Sequence, residues 1–370
     1  MIIGSIFQDG HSANSMFASD DTVHRFNPTH TPRMLRLALL ERGIEINTPD
    51  LNVGREVAFE LHVEGRVLSP SNLPRYLLAL ENPYINRLND NRNYFGQFRH
   101  AFTWNPKFFD LPNVTPILVP NQISWLPFKP FAERDLFSCL INANKGFPYM
   151  LDADLYQERL RVIRWYEQNA PEQFALYGMG WNKPARGLGV WSKLHRRVDR
   201  LRSQFYGYKP FPSYRGEVRL KSEVMSRCKF AYCYENVRDL PNYVTEKIID
   251  SLLAGCVPVY WGANNVSDLI PAECFIDRRQ FTDMADLNKY LELIDARRYE
   301  QYQTEILTFF KSPAAYRFSA EAFANVISER ISAEQCSNAA NPGNREVAAG
   351  SRKTNGNLLK FHADGLQELR

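Results

Sequence analysis

No run of this 370-residue chain approaches the roughly twenty consecutive apolar residues that a membrane-spanning helix needs. The opening MIIGSIFQDGHS has only a short apolar mixture with no positive charge before it, so it reads as a first strand over 2–7 and neither as a signal peptide nor as an anchor. The six cysteines, Cys139, Cys228, Cys233, Cys256, Cys274 and Cys336, show no CxxC spacing, and most lie inside apolar runs, so they read as buried, reduced thiols. No His/Cys/Asp cluster has ligand spacing, and neither a metal nor another cofactor is expected. Internal repeats are absent. A net charge of +4 is too mild to argue for nucleic acid, and no recognisable nucleic-acid module accompanies it. These absences describe a cytoplasmic enzyme with at most weak peripheral contact at the inner membrane face.

What is present suits two domains, since 44% hydrophobic residues in 370 can bury two ordinary cores. The organising stretch is 227–281. An apolar run over 229–234 is of strand length, 235–242 is a polar turn containing Pro241, and 243–254 takes up a helical period with Ile248, Ile249, Leu252 and Leu253 on one face. Thr245 and Glu246 stand where a helix start prefers an oxygen-bearing cap and an acid; Gly255 is a natural stop before a second strand over 256–261. In open α/β sheets the ligand lies outside the carboxyl ends of the strands, where helix N-termini present free N–H groups. Lys247 in that first turn adds a full charge suited to a diphosphate and, as an exposed residue, contributes little to packing. Glu246 beside it accepts from sugar hydroxyls but repels phosphate, so the pair favours a nucleotide sugar. The plainer alternative is a solvated helix face.

The words CYEN, YVTEKIID, PVYWG and CFIDRR resemble, in order and at close to its spacing, the donor-binding segment of the α1,3-fucosyltransferases of glycosyltransferase family 10. One departure is the loop 237–242, which lacks the glycines that relatives often carry before the tyrosine. The resemblance implies an α/β fold of the GT-B type, two facing Rossmann-like domains, and GDP-fucose as donor. It also implies a donor-binding set of Arg159, Asn236, Tyr243, Glu246 and Lys247. By composition Arg161 and Arg164 compete with Arg159; only the resemblance prefers Arg159, whose guanidinium suits two phosphate oxygens. Asp277 in CFIDRR reads as structural.

Upstream, 32–40 is amphipathic, 44–46 and 57–63 read as strands, and 77–80 reads as a buried strand with Glu81 its first polar residue. An inverting sugar transfer needs a base for the acceptor hydroxyl, and the family's proposed base is a glutamate in a comparable Glu-Asn setting. Glu81 is therefore the candidate base and His100 the second; a capping or salt-bridged glutamate is the alternative. YFGQFRHAFTWNPKFF and TPILVP resemble the segment that follows, and CLINANK and LYQERLRVIRWYEQNAPEQFALYGMGW again look like the family. Prolines between 120 and 135 mark a boundary, and 136–141 opens the second half as a strand. The resulting division is 1–130 on the acceptor side, 131–331 on the GDP-fucose side, and a tail over 332–370 too poor in apolar residues to fold. The basic stretch 186–221, with a helix over 191–206, reads as a solvated face or as a surface for anionic lipid.

The expected reaction is transfer of L-fucose from GDP-fucose to a glycan acceptor with inversion, α1,3 to N-acetylglucosamine of a surface glycan or lipopolysaccharide. Transfer of another GDP-deoxysugar and a non-catalytic nucleotide-sugar or lipid-binding scaffold stand as alternatives.

Overall fold

The computed structural model describes residues 1–18, 28–124, 127–185 and 209–340. Two wholly parallel sheets dominate them. The first has the order β2-β1-β3-β4-β5-β6, formed by β1 (Ile2–Phe7), β2 (Ile44–Asn47), β3 (Phe59–Val63), β4 (Arg75–Ala79), β5 (His100–Thr103) and β6 (Val114–Pro116). The second has the order β11-β10-β9-β7-β8, formed by β7 (Leu136–Ile141), β8 (Phe174–Tyr177), β9 (Cys228–Tyr234), β10 (Val257–Trp261) and β11 (Ile276–Asp277). Every paired neighbour runs parallel, so within each sheet all carboxyl ends lie along one edge. That edge gathers the loops after β4 in the first sheet and after β7, β8, β9 and β10 in the second.

The helices are α1 (His30–Leu40), α2 (Arg92–Phe95), α3 (Leu155–Asn169), α4 (Lys221–Met225), α5 (Glu246–Leu253), α6 (Met284–Glu292), α7 (Ala296–Phe310), α8 (Pro313–Tyr316) and α9 (Ala320–Ala340). The second sheet shows why its strands read as unbroken apolar runs. Successive side chains of β9 point to opposite faces: Ala231 and Cys233 join Ile248, Ile249 and Leu252 of α5, whereas Phe230, Tyr232 and Tyr234 join Leu155, Val162, Ile163 and Tyr166 of α3. With helices on both faces, neither set can be polar. Ile248, Ile249 and Leu252 are fully buried, and each stabilises the packing of α5 by about 1.5–3 kcal/mol. Leu253, expected on the same face, is only partly buried.

The chain between the sheets is fastened at two points. Arg134, buried, donates to the carbonyls of Lys129, Met225, Cys228 and Ala254, which ties the approach to β7 onto the second sheet. Asn121 donates from its N–H to Phe318 O (2.7 Å) and accepts from Ala320 N (2.9 Å), which ties the start of α9 to the chain leaving the first sheet.

Capping residues set helix boundaries in the second half, and one boundary differs from the sequence reading. Residues 284–310 form two helices, α6 and α7, and not one, because Asp295 caps a new helix by accepting from Arg298 N at 2.8 Å. Arg159 sits a full turn inside α3, which is capped by Asp154 accepting from Tyr156 N at 2.7 Å. The last helix continues to Ala340, past Ser332, where a structureless tail was expected to begin; 341–370, the helix read over 191–206 and most of the basic stretch lie outside the described residues. All six cysteines are free thiols, five of them buried and Cys336 exposed. No helix among the described residues is long and apolar enough to cross a membrane.

Candidate active site

The loop between β9 and α5 is built on a buried carboxylate. Glu235, read from sequence as the start of a polar turn, is fully buried. It accepts from Thr245 N at 2.8 Å and from Thr245 Oγ1 at 2.7 Å, and it pairs with Lys247 Nζ at 3.1 Å. Thr245 is thus the cap residue by position, yet its hydroxyl serves Glu235 and leaves the free N–H groups of α5 uncapped by it. Lys247 also donates to Thr245 Oγ1 at 2.9 Å and lies 3.5 Å from Glu246. Its side chain is only 11% exposed, so the expectation of a solvated lysine with little packing role is corrected. A charged pair this deep is costly to break, since removing one partner strands the other without water, at about 3–5 kcal/mol.

The same groups set each other's protonation. Burial pushes the Glu246 carboxyl up, but the Lys247 and Lys221 ammonium groups outweigh it and hold it at about 2. Burial pulls Lys247 down; Glu235 and Glu246 more than offset this and raise it above the ordinary lysine range. Lys221 pairs with Asp250 at 2.6 Å and reaches Glu246 at 3.9 Å, extending the network.

Arg159 rises from α3 beneath the end of β9, buried, with its guanidinium carbon 4.7 Å from the centre of the Tyr156 ring. Nη2 donates to the carbonyls of Tyr234 (2.6 Å) and Glu235 (2.8 Å) and to Asn236 Oδ1 (3.2 Å), while Nε has no partner among the described residues. The arginine therefore holds the loop's shape as well as lending charge. Arg159, Asn236, Glu246 and Lys247 line one cavity of about 320 Å³ together with Lys145 and Lys221. Sequence reasoning passed over Glu235, Lys145 and Lys221; Glu235 stands inside CYEN, and Lys221 ends the basic stretch read as a solvated face or a surface for anionic lipid.

The missing glycines of 237–242 have a physical replacement. Asp239 and Asn242 adopt positive φ, 64° and 65°, which these two side chains tolerate better than other non-glycine residues. Asp239 N donates to Gly262 O at 3.0 Å, and Asn242 and Asn265 exchange two bonds of 2.8 Å. Two glycines elsewhere are obligatory. Gly178, at φ +121°, would place a Cβ 2.1 Å from Asn142 O, and a Cβ on Gly262 would meet Glu235 Cγ at 2.4 Å.

On the first sheet, Glu81 follows β4 as expected and lines a second cavity of about 1230 Å³. Its N–H donates to the Glu64 carboxylate at 3.0 Å, and burial pushes the Glu64 carboxyl up. Glu81 Oε1 accepts from Asn82 N (2.9 Å), Asn82 Nδ2 (2.8 Å) and the Tyr243 hydroxyl (3.3 Å); Oε2 has no protein donor among the described residues. Tyr243 also accepts from Asn82 Nδ2 at 3.1 Å and packs 4.9 Å from Trp104. It is buried and lines neither cavity, so the structure sets it against Glu81 and apart from the other four donor-side residues. The cavities share Ala143, Lys145, Tyr156, Met179 and Asn236, which makes them one cleft with Glu81 toward one end and Lys247 toward the other. His100 is elsewhere: buried in β5, with Nε2 2.7 Å from Thr115 Oγ1, it lines neither cavity. Asp277 caps the turn after β11 and pairs with Arg279 at 2.7 Å, a structural position. No group of three or more His, Cys, Asp or Glu among the described residues is placed to hold a metal ion.

Comparison with known proteins fits this geometry. Residues 196–344 match the family described as glycosyltransferase family 10 (fucosyltransferase), C-terminal. An alpha-(1,3)-fucosyltransferase of Helicobacter pylori is 38% identical over 77 residues, 20% of this chain and 16% of the relative. A 4-galactosyl-N-acetylglucosaminide 3-alpha-L-fucosyltransferase 9 of Mus musculus is 32% identical over 117 residues, 31% of each chain. The match thus spans less than a third of either relative. Among solved structures, a sucrose-phosphate synthase from Thermosynechococcus elongatus superposes over 91% of this chain and 99% of its own with a TM-score of 0.56 at 11% identity. That likeness and the two parallel sheets give the GT-B architecture, and the region carrying Glu235, Glu246 and Lys247 is a glycosyltransferase family 10 (fucosyltransferase) C-terminal domain.

Proposed function

We propose that the chain is an inverting fucosyltransferase that takes L-fucose from GDP-fucose, with the second sheet as donor side and the first as acceptor side. The observation that carries the reading is the cavity at the carboxyl edge of the second sheet. Lys145, Arg159, Lys221 and Lys247 converge there against Glu217 and Glu246. Four cations and the N-terminus of α5 suit a diphosphate, and they stabilise it most as it leaves with its full charge. Glu246, held ionised, accepts from ribose or fucose hydroxyls.

Glu81 is the base. Its Oε1 is saturated by Asn82 and Tyr243, so Oε2 is the oxygen left to take the acceptor proton. As that proton moves to Glu81, the acceptor oxygen forms its bond to the anomeric carbon, and the bond to GDP breaks on the opposite face with its electron pair going to the diphosphate. Tyr243 is a positioning residue in this scheme, holding Glu81 from the other sheet. N-acetylglucosamine is the proposed acceptor residue, in keeping with the name of the Mus musculus relative, and α1,3 the proposed linkage, in keeping with the names of both.

The test is a donor screen read by mass spectrometry, with GDP-fucose, GDP-mannose and UDP-sugars offered over a panel of lactosamine acceptors. A deoxyhexose increment from GDP-fucose alone is expected. Transfer only from a UDP-sugar overturns the reading.

A further inference from the structure

The larger cavity holds more than the reacting groups require. At about 1230 Å³ it exceeds the roughly 300–1,000 Å³ usual for a small ligand. Its floor is aromatic: Phe147 packs against Tyr84, Tyr149 and Tyr156 at ring separations of 6.5, 5.7 and 5.3 Å, and Tyr149 donates its hydroxyl proton to Tyr84 O at 2.7 Å. Flat apolar faces of this kind suit the C–H faces of sugar rings.

Its charge is one-sided. Arg87, Lys145 and Lys183 line it, and the one acid among its described lining residues is Glu81. None of the three cations makes an ion pair among the described residues. Exposed cations elsewhere divide: Arg92 pairs with Asp110 and Lys107 with Asp90, each at 2.8 Å, whereas Lys129, Arg219 and Lys311 make no ion pair among the described residues. The three come from separate loops, after β4, β7 and β8, and the latter two loops are fastened together. Asn144 Nδ2 donates to Gly180 O (3.0 Å) and Lys183 O (3.1 Å), and buried Trp181 donates to Asn142 O (2.6 Å). Three cations from separate loops around one cavity give it a positive potential that favours an anionic ligand. Lys145 also lines the donor cavity, which leaves Arg87 and Lys183 for the acceptor.

We propose that the acceptor is an anionic glycan, one that carries a carboxylate or phosphate substituent beside the fucosylated residue and sets it against Arg87 and Lys183. The inference rests on the transferase reading above and names the substrate class of the same cleft.

The experiment uses the full chain, with GDP present for calorimetry and GDP-fucose as donor for turnover, and three acceptors: N-acetyllactosamine, the same core extended by glucuronic acid, and the same core carrying a phosphate monoester. Calorimetric affinities and kcat/KM are measured at low salt and at about 0.5 M salt, in the parent and in R87E/K183E. At least one acidic acceptor is expected to be favoured over the neutral one by about three- to tenfold at low salt, with the two arms distinguishing carboxylate from phosphate. The preference should shrink at high salt and collapse or invert in R87E/K183E. Equal handling of all three acceptors, or a preference that R87E/K183E leaves untouched, overturns the inference even if fucose is transferred. Preferential binding of an acidic acceptor without transfer from any donor sinks the transferase reading and leaves the charge assignment standing. Parallel GDP titration and thermal melting show whether R87E/K183E retains the fold; if it does not, R87Q/K183Q takes its place with the same expected loss of preference.

Discussion

The two sheets put chemistry at their carboxyl edges in different ways. Behind the second sheet the groups are buried and mutually locked, with Glu235, Thr245 and Lys247 closed on one another and Arg159 tied to Tyr234 at the end of β9 and to Glu235 and Asn236 at the start of the loop. At the first sheet a single carboxylate is held by one of its oxygens and opens with the other onto a wide, aromatic cleft. A diphosphate needs several donors fixed at once, so many residues must agree. A proton acceptor needs one oxygen in one place, and the rest of its surroundings can vary with the acceptor.

The sharpest way to separate the two edges is Glu81→Gln. It keeps the shape of the side chain and removes the carboxylate proposed as base, so turnover is expected to fall by roughly two to four orders of magnitude while GDP affinity stays at the parental value. A transfer assay beside a GDP titration reads both quantities, and near-parental turnover would move the base elsewhere.

Lys247→Ala attacks the other edge and should do two things together. Loss of a charge-assisted phosphate contact lowers GDP affinity about ten- to a hundredfold. The stranded Glu235 also destabilises the fold by about 3–5 kcal/mol, visible in urea unfolding. A variant as stable as the parent would show that Glu235 finds another partner.

Tyr243→Phe crosses the comparison, because it removes a donor-side hydroxyl from an acceptor-side carboxylate. Two hydrogen bonds are lost, the one donated to Glu81 and the one accepted from Asn82, at an expected cost of about 1–2 kcal/mol or roughly five- to thirtyfold in kcat, with little change in KM for GDP-fucose. A rise in donor KM with kcat intact would return Tyr243 to the donor set.

The smallest effect expected is on pH. Glu246 is lowered from an ordinary 4.5 to about 2, so its contribution is complete above about 4.5 and is lost as pH falls toward 2. Lys247 is raised from an ordinary 10.5, so its contribution is complete below that value and is lost only as pH rises past it. Affinity for GDP-fucose, whose diphosphate has no proton left to lose in this range, should therefore be nearly flat between about pH 5 and 8, where both stay charged, and a step inside that window would show that a different group governs donor binding.

Much of the fold was legible for the same reason that the donor edge was. Parallel strands covered on both faces cannot alternate, so β1 and β7 fall on the residues their apolar runs mark, and β9 and β10 differ from theirs by one residue at the start. Strands β5, β6, β8 and β11, of four, three, four and two residues, are too short to carry a period. Illegible too were the tertiary partnerships. Glu235 looks like a turn residue until Thr245 and Lys247 close on it, and Tyr243 looks like part of a donor motif until its hydroxyl meets a carboxylate 162 positions away. His100, chosen by residue type alone, lies in the core of the first sheet.

The most direct measurement is calorimetric titration of GDP into the parent, Lys247→Ala and the double variant Glu235→Gln/Lys247→Met. Replacing both members of the buried pair with uncharged side chains should recover most of the stability that Lys247→Ala loses, which separates folding from binding. Both variants are expected to bind GDP at least tenfold more weakly than the parent, the double variant while fully folded. A folded double variant that binds GDP as tightly as the parent would contradict the placement of the donor diphosphate at the N-terminus of α5.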